Sequence, residues 1–383
     1  MVSTRILERR LRERLSELEA AGLTRWMRPP SGIDLSSNDY LGLSRHPLLR
    51  EQMADAVARE GCGSTGSRLL RGERDSLSEL ESRFAEFKET ERSIYFSSGY
   101  LANLAVLSTL AEEGDVIFSD ERNHASLIDG MRLSRARRVI FPHNDVTALA
   151  HLLREEDSHG QKFVVTESLF SMDGDMAPLG EYDAICRAHG AALIVDEAHA
   201  VGIYGPRGSG LLEVTRAEAL VSIDTGGKAL GVCGAFVSGP GWVIDSLIQR
   251  ARPFIFSTAA PPAVTAALQA SLTVIETEPW RRDQLLARSA YLRRRLMEAG
   301  MAVPEGVSQI IPVVLGENDR AVGVADALQR QGFDARAIRP PSVPRGTARL
   351  RLSVNAELSE ATLDRFAAAL AGALEEACSA ASS

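Results

Sequence analysis

Cysteine is scarce in this 383-residue chain, and the four that occur lie far apart, at Cys62, Cys186, Cys233 and Cys378. No pair of them has the close spacing that zinc ligands need. A chain of this length can also bury a hydrophobic core without a framework of disulfides. The cysteine pattern therefore argues against a zinc module and against a small disulfide-stapled fold.

Long hydrophobic runs are missing as well. No stretch approaches the roughly 18 apolar residues of a membrane-spanning helix, and the first 22 residues alternate charge with leucine instead of forming an apolar signal sequence. Acidic residues in that segment, which are Glu8, Glu13, Glu17 and Glu19, also disfavour a transit peptide. We therefore expect a cytoplasmic protein with no membrane partner.

Positive charge is in deficit, with a net charge of −8 and a pI near 5.5. Nucleic-acid binders gather positive charge against the phosphate backbone, so no nucleic-acid partner is expected. The one basic stretch, Arg132 to Arg138, is typical of a solvated surface. With 45% hydrophobic and 25% charged residues, the composition predicts a globular protein of two or three domains.

Seven short apolar runs, each rich in Val, Ile or Phe, lie between about residues 90 and 240. They are Ser93–Phe96, Val116–Ser119, Val139–Phe141, Phe163–Thr166, Ala192–Val195, Leu220–Ile223 and Gly234–Ser238. Nearly continuous hydrophobicity is typical of strands buried on both faces. The pattern predicts an α/β fold in which helices cover both faces of a mostly parallel, seven-stranded sheet.

Lys228 lies in the connection between the last two runs. That connection is too short for a helical crossover, so the strands ending at Ile223 and starting at Gly234 are expected to be antiparallel neighbours.

The segments that follow the seven runs predict a smaller α+β domain. Helices are predicted from Pro279 to Gly300 and from Glu360 to Ala380, the second with Ser359 as its N-cap. Strands are predicted at Ile310–Leu315 and Leu350–Val354. The expected division is an N-terminal helix and arm at 1–45, a large domain at 46–265 and a C-terminal domain at 266–383.

Polar residues that follow the predicted strands mark the candidate site, because open α/β sheets bind ligands beyond the carboxyl ends of their strands. Ser97 to Tyr100 form a turn that enters a helix, where free N–H groups suit a phosphate. Asp196 ends a wholly apolar strand. A carboxylate there suits a cation such as the protonated ring nitrogen of pyridoxal phosphate (PLP), and a helix cap or a magnesium ligand is the alternative.

Lys228 is flanked by glycines in Thr225–Gly231, an unusual place for a surface charge. Desolvation at the sheet edge would free its amine as a nucleophile, and Thr225 could offer its hydroxyl to a phosphate. A solvated turn is the alternative. His124 follows the second run, where its ring could stack on a cofactor or cap a helix.

Other residues at strand ends are ambiguous, and one motif is a decoy. Glu167, Ser168 and Ser171 follow the fourth run without indicating a role. Gly61 to Gly66 spell G-x-G-x-x-G, yet the segment follows a predicted helix instead of a strand, which excludes the dinucleotide context of that motif.

The whole chain resembles the α-oxoamine synthases, which are PLP enzymes of the aspartate-aminotransferase fold (fold type I). The matching segments are SSNDYLGL (36–43), GSTGSRLLRG (63–72), SSGYLAN (97–103), DERNHASLIDG (120–130), TESLFSMDGDMAPL (166–179), VDEAHAVGIYGPRGSG (195–210), TGGKALGVCGAF (225–236), FSTAAPPA (256–263) and RPPSVPRGTARLRLSV (339–354).

The resemblance implies roles for the catalytic residues. Lys228 would hold the cofactor as a Schiff base, Asp196 would pair with the pyridine nitrogen, and His199 would contact the phenolic oxygen. His124 would stack on the ring and take part in catalysis and substrate binding. The remaining cofactor-binding residues implied are Gly99, Tyr100, Ser171, Thr225 and, from a second subunit, Thr258.

The resemblance also implies a substrate site. Asn38 and Arg351 would bind the carboxylate of an amino acid, Arg351 through a bidentate fork. Ser342 keeps the hydroxyl of a position that is usually threonine, and Arg25 matches a substrate-side arginine. The position of Thr258 in a neighbour's site implies a homodimer with interfacial active sites.

Two residues depart from the family pattern. Gly226 stands where phenylalanine is frequent, which loosens the loop before Lys228. Tyr100 replaces another frequent phenylalanine, which is harmless if only its backbone N–H is used.

The implied reaction joins an amino acid to an acyl thioester with loss of CO2. The strongest resemblance is to the branch that uses L-alanine and pimeloyl-CoA, or a pimeloyl carrier-protein thioester, in biotin synthesis. Sister branches use glycine or serine with other acyl-CoAs. A non-catalytic partner subunit is the rival of another class, and the presence of Lys228 argues against it.

Overall fold

The computed structural model describes residues 4–381, with side chains described up to residue 377. It divides the chain into two compact units. The larger unit contains residues 38–171 and 175–285, and the smaller one contains the chain up to residue 37, residues 172–174 and the chain from residue 286 onward.

The α-helices have these bounds: α1 Arg5–Ala20, α2 Pro47–Glu60, α3 Asp75–Lys88, α4 Gly99–Leu110, α5 Ala125–Leu133, α6 Val146–Glu155, α7 Leu179–His189, α8 Leu211–Thr215, α9 Gly241–Arg250, α10 Arg252–Ile255, α11 Pro262–Thr277, α12 Trp280–Glu298, α13 Asn318–Arg330 and α14 Glu360–Ala381. Two short helices of other types are Leu43–Arg45 and Arg68–Gly72. Among the described residues, no helix is both long enough and apolar enough to cross a lipid bilayer.

The strands have these bounds: β1 Ile33–Asp34, β2 Arg92–Phe96, β3 Val116–Asp120, β4 Arg137–Phe141, β5 Lys162–Glu167, β6 Ala191–Asp196, β7 Val221–Thr225, β8 Ala235–Gly239, β9 Ile310–Gly316, β10 Phe333–Asp334, β11 Ala337–Ile338 and β12 Ala348–Ser353. Each of the seven predicted runs of the large unit corresponds to one of the strands β2 to β8, with ends that differ by one or two residues.

The seven-stranded sheet of the large unit has the order β2-β8-β7-β6-β5-β3-β4. Its strands from β7 to β4 pair in parallel, and β8 runs antiparallel to both β7 and β2. The predicted fold class and the predicted antiparallel pair are therefore confirmed. Because β2 points the same way as the parallel strands, its carboxyl end meets theirs at one edge of the sheet.

Both faces of this sheet are covered by helices. Ile94 and Phe96 of β2 point to one face, where α4 and α9 supply Val106 and Ile244 to the core. Tyr95 lies between them and points to the other face. There Phe236 of β8 stacks on Phe84 of α3 with ring centroids 3.8 Å apart. This alternation is the two-residue period of a strand that is buried on both sides.

The smaller unit contains a three-stranded antiparallel sheet of order β11-β12-β9 and a parallel pair, β1 and β10. Helix α14 begins after Ser359, whose hydroxyl accepts a hydrogen bond from the backbone N–H of Thr362 at 3.2 Å, so the predicted N-cap is confirmed. The three-part domain division expected from the sequence stays a prediction.

A buried cluster of charges joins α3 to the ends of β6 and β7. The Lys88 ammonium donates to Glu197 at 2.8 Å and to Asp224 at 2.9 Å, and both carboxylates are fully buried. Burial lowers the pKa of Lys88, but the attraction of the two carboxylates outweighs it and raises the pKa above its ordinary value. Glu197 also accepts the N–H groups of Leu211 and Leu212 at the start of α8. One cation therefore fixes three elements next to the strand ends.

Replacing Lys88 by methionine is expected to destabilise the protein by roughly 3–5 kcal/mol, because two buried carboxylates would lose their cation. Lys162→Met is the matched control. The Lys162 ammonium donates to the carbonyl oxygens of Leu153 and Glu156, and we expect a loss of only about 1 kcal/mol there. Urea unfolding of both variants at neutral pH measures the difference. Equal losses in the two variants would contradict the assigned role of Lys88.

Candidate active site

Chemical groups from four strands meet at the carboxyl edge of the large sheet. The turn after β2 leads into α4 at Gly99, and β7 ends at Thr225. A Cβ atom placed on Gly99 would lie 3.9 Å from the hydroxyl oxygen of Thr225. Ser98 caps α4 by accepting the N–H of Leu101 at 3.3 Å. A helix N-terminus and a hydroxyl are thus side by side, which is the arrangement that a phosphate group needs.

The chain has three lysines, Lys88, Lys162 and Lys228. Lys88 is held between two buried carboxylates, and Lys162 starts β5 at the opposite, amino edge of the parallel strands. The half-buried Lys228 alone lies in the connection after β7, with Nζ 2.8 Å from Nε2 of His199. Of the two lysines near the carboxyl ends of the strands, Lys88 is therefore enclosed by buried carboxylates, whereas Lys228 lies beside an imidazole.

The loop before Lys228 is built around the Thr225 hydroxyl. That hydroxyl donates to the carbonyl oxygen of Gly234 at 3.0 Å and accepts the N–H of Gly227 at 3.2 Å. A side chain at Gly226 would collide with the carbonyl oxygen of Cys233 and with Leu268. The glycine that departs from the family pattern is therefore the residue that this loop conformation requires.

Asp196 ends β6 and is 6% exposed. Its carboxylate accepts from the Asn103 amide at 2.7 Å and from the N–H of Ala198 at 2.9 Å. Both donors are neutral, and among the described residues no lysine or arginine forms an ion pair with Asp196. A buried carboxylate with neutral donors has a charge that a cationic group can still neutralise.

His124 belongs to the same hydrogen-bond network. Asn103 also donates to the Ser126 hydroxyl at 2.8 Å, which lies 2.7 Å from Nδ1 of His124. Nδ1 accepts the backbone N–H of Ser126 as well, so His124 caps α5, which is the alternative role that the sequence left open. Because Nδ1 is an acceptor, the proton of the neutral imidazole is on Nε2.

The charge state of His124 is set by its surroundings. Although part of the residue is exposed, desolvation lowers the pKa of its imidazole, and Lys228 lowers it further, whereas Asp196 raises it. The net direction is downward, so a neutral ring that can donate from Nε2 is favoured at neutral pH.

Glu167 is a site residue whose role the sequence left ambiguous. It ends β5 directly beside Asp196, its register partner on β6. Burial raises the pKa of Glu167 to about 8, and the adjacent Asp196 carboxylate contributes to the increase. Its Oε1 is buried and has no hydrogen-bond partner among the described residues. The one sequence signal was its position at a strand end, which many structural residues share.

Three further candidates lie in the large unit. Ser171 is buried, and its backbone N–H is near enough to Glu167 to lower the pKa of that carboxyl group. The Tyr100 hydroxyl bonds to Asp129, which leaves its backbone N–H at the start of α4 as the group that can meet a phosphate. Thr258 is exposed and pairs with Ser67 in an isolated bridge.

The substrate candidates are divided between the units. Asn38 lies in the larger unit, where its Oδ1 accepts from Tyr40 at 2.9 Å. The other three lie in the smaller unit. Arg351 is buried on β12 and bonds to the Ser353 hydroxyl at 2.8 Å, Arg25 donates to the carbonyl oxygen of Pro340 at 2.9 Å, and Ser342 is exposed in a turn.

A family model described as aminotransferase class I and II matches residues 30–370. The chain belongs to this family.

Relatives over nearly the full length have a more specific name. An 8-amino-7-oxononanoate synthase of Anaeromyxobacter dehalogenans (strain 2CP-1) is 45% identical over 377 residues, which cover 94% of each chain. The enzyme of that name from Geobacter sulfurreducens is 42% identical and covers 93% of this chain and 96% of its own.

A solved structure gives the same fold. Serine palmitoyltransferase of Sphingomonas wittichii matches with a TM-score of 0.91 and 30% identity, covering 99% of each chain. The fold is therefore that of the fold type I PLP enzymes, as the resemblance implied.

The donor set at the carboxyl edge fits PLP. The amine of Lys228 suits the aldehyde, and the buried Asp196 with only neutral donors suits the ring nitrogen. The N-terminus of α4 beside Thr225 suits the phosphate. The buried, unpartnered Oε1 of Glu167 next to Asp196 is a further sign that a polar group belongs here.

A partly buried histidine that the sequence analysis missed, His143, supports two loops of the site. His143 lies between the carboxylates of Asp120 and Asp175, at 2.9 Å from Nδ1 and 2.5 Å from Nε2. Burial lowers the pKa of His143, but the two carboxylates outweigh it and raise the pKa to about 9. Asp120 begins the loop that carries His124, and Asp175 ends the loop that carries Ser171. At neutral pH the imidazolium holds both loops.

His143 makes the stability of the protein depend on alkaline pH. Because its pKa is raised on folding, its stabilisation is complete below about pH 6.5, the ordinary pKa of histidine, and is lost as the pH rises through about 9. The difference in unfolding free energy between the wild type and His143→Gln is expected to shrink over that interval. Urea unfolding between pH 6 and 10 measures it, with the exposed His151 changed to Gln as the control. A difference that does not change with pH would contradict the assignment.

Proposed function

We propose that this enzyme joins L-alanine to a pimeloyl thioester with loss of CO2, forming 8-amino-7-oxononanoate. The observation that carries the proposal is the meeting of the Lys228 amine, the buried Asp196 carboxylate and the His124 and His199 imidazoles at one sheet edge. Near-full-length relatives with this name, at 42–45% identity, support the choice of substrates.

The cofactor is pyridoxal phosphate, which when bound supplies an electron sink for the carbanion of the amino acid. Lys228 would hold it covalently, and Asp196 would keep its ring nitrogen protonated. Thr225 and the first N–H groups of α4, at Gly99 and Tyr100, would hold its phosphate.

The amino acid is oriented through its carboxylate. Arg351 can grip both carboxylate oxygens with a planar fork, and Asn38 offers an amide. A fixed carboxylate fixes the direction of the Cα–H bond, and orientation of this kind contributes roughly 7–11 kcal/mol in favourable intramolecular reactions. Lys228, once its amine is free, is the base that takes the Cα proton at Nζ.

His124 has the role of hydrogen-bond donor to the carbonyl oxygen of the thioester. Nδ1 is occupied by the N–H of Ser126, and the proton is on Nε2, which can donate to the oxygen of the thioester carbonyl as negative charge develops there. Because desolvation and Lys228 lower the pKa of the ring, the neutral form is favoured at neutral pH, and its single hydrogen is on Nε2 while Nδ1 accepts.

A sister activity is the second candidate, in which glycine or serine is joined to another acyl-CoA, as in glycine C-acetyltransferase, 5-aminolevulinate synthase or serine palmitoyltransferase. The structural match to serine palmitoyltransferase favours it. Higher identity to the oxononanoate enzymes favours the first candidate. A homodimer with Thr258 in the partner's site, a cytoplasmic location and the roles of Ser171, Ser342 and Arg25 remain proposals.

Lys228→Ala is expected to abolish both the absorbance of the lysine-bound cofactor and turnover, because neither of the other two lysines lies beside His199. Lys162→Ala should retain both. The absorbance spectrum of each purified variant and its rate of CO2 release are the measurements. Turnover by Lys228→Ala would contradict the proposed function.

A substrate panel decides between the two candidate activities. We expect the highest kcat/KM with L-alanine and a pimeloyl thioester, when alanine, glycine and serine are each offered with pimeloyl-CoA, pimeloyl carrier protein, acetyl-CoA, succinyl-CoA and palmitoyl-CoA. Products are identified by mass. A preference for glycine or serine with another acyl group would replace the first candidate by the second.

A further inference from the structure

A continuous line of hydrogen bonds runs from Asn38 to Lys228. The Tyr40 hydroxyl donates to Oδ1 of Asn38 at 2.9 Å and lies 2.7 Å from Nδ1 of His199. Nε2 of the same imidazole lies 2.8 Å from Nζ of Lys228. Tyr40 is fully buried and His199 nearly so.

Counting protons fixes the direction of each bond in this line. A tyrosine hydroxyl has one hydrogen, and that of Tyr40 is given to the Asn38 oxygen, which is an acceptor only. The contact between Tyr40 and Nδ1 of His199 must therefore be made by a hydrogen on Nδ1. In a neutral imidazole this leaves the lone pair on Nε2, where it accepts from the Lys228 amine.

The backbone around Tyr40 is held against the loop that follows Lys228. A Cβ atom on Gly231 would lie 2.6 Å from the backbone nitrogen of Ser44 and 2.7 Å from the carbonyl carbon of Leu43, so the two segments touch through a glycine that no other residue can replace. Gly231 also has a φ of +70°, which independently favours glycine. Tyr40 and Lys228 are thus carried by two segments in direct contact.

We propose that Tyr40 is a positioning residue that keeps a hydrogen on Nδ1 of His199 and so presents Nε2 to the phenolic oxygen of the cofactor. The second half of this statement rests on the proposed function, because it requires PLP beside His199. The first half concerns the chain alone.

The hydrogen on Nδ1 determines how easily Nε2 of His199 can exchange a proton with the phenolic oxygen of the cofactor. With Nδ1 protonated, a proton on Nε2 can be shared with the phenolic oxygen, because its transfer leaves a neutral imidazole. If Nδ1 had no hydrogen, the same transfer would leave an imidazolate, which is far less favourable. Loss of the Tyr40 hydroxyl should therefore leave more negative charge on the phenolic oxygen and make the neighbouring Schiff-base nitrogen hold its proton more tightly.

Nitrogen NMR of the histidine rings tests the first half. In full-length holoenzyme labelled with 15N at the ring nitrogens, His199 is identified by the signal that disappears in His199→Asn. We expect Nδ1 of His199 to be protonated in the wild type and to lose its hydrogen in Tyr40→Phe. An unprotonated Nδ1 in the wild type would overturn the proposal, and this outcome does not depend on whether Tyr40→Phe folds.

An absorbance titration tests the second half. The pKa of the lysine-bound chromophore in Tyr40→Phe is expected to rise by about one unit, the scale of one hydrogen bond to a charged group. Tyr182→Phe is the matched control, because Tyr182 is also fully buried and its hydroxyl has no hydrogen-bond partner among the described residues. Its titration should match that of the wild type. An unchanged pKa in Tyr40→Phe would overturn the proposal.

The two proposals fail in different ways. If Lys228→Ala keeps the chromophore, the proposed function is wrong, while the protonation of Nδ1 can still be read in the same chain without cofactor. If Lys228→Ala behaves as expected but Tyr40→Phe leaves both the Nδ1 signal and the titration unchanged, only the role of Tyr40 is wrong.

Discussion

A buried carboxylate must be matched by donors or by a cation, and this requirement organises the edge of the large sheet. Asp196, Glu197 and Asp224 lie within two adjacent strand ends. Glu197 and Asp224 share the Lys88 ammonium, whereas Asp196 receives neutral donors from Asn103 and Ala198. The fold thus gives two of the carboxylates an internal cation and leaves the third to attract a cationic ring.

Hydrogen bonds give the three histidines near this edge different protonation states and therefore different functions. His124 accepts at Nδ1 and carries its proton on Nε2, whereas the proposed role of Tyr40 gives His199 a hydrogen on Nδ1 and a lone pair on Nε2. His143 is doubly protonated between two carboxylates and holds loops together. Three imidazoles in one unit therefore act as donor, acceptor and, at neutral pH, cation, although each has the same intrinsic chemistry.

Much of the large unit could be predicted from the sequence. Its strands are buried on both faces, and each of the strands β2 to β8 therefore appears as a short, nearly continuous apolar run. Lys228 and Asp196 could be found because a lysine among glycines and a carboxylate after an apolar run are unusual. The residues that support these two could not be predicted from the sequence. Asn103, Tyr40 and His143 act through partners that are distant in sequence, and nothing local distinguishes an amide inside a helix or a buried tyrosine from ordinary packing.

The ratio of arginine to lysine in the chain affects where an aldehyde cofactor can react. Of its 43 basic side chains only three are lysines, and the remainder are arginines. Aldehydes condense with primary amines but form no comparable imine with a guanidinium. With Lys88 buried between carboxylates, Lys162 is the one other lysine that a free aldehyde could meet. An arginine-rich surface thereby limits adventitious capture of the cofactor and directs it to the single amine where it can react productively.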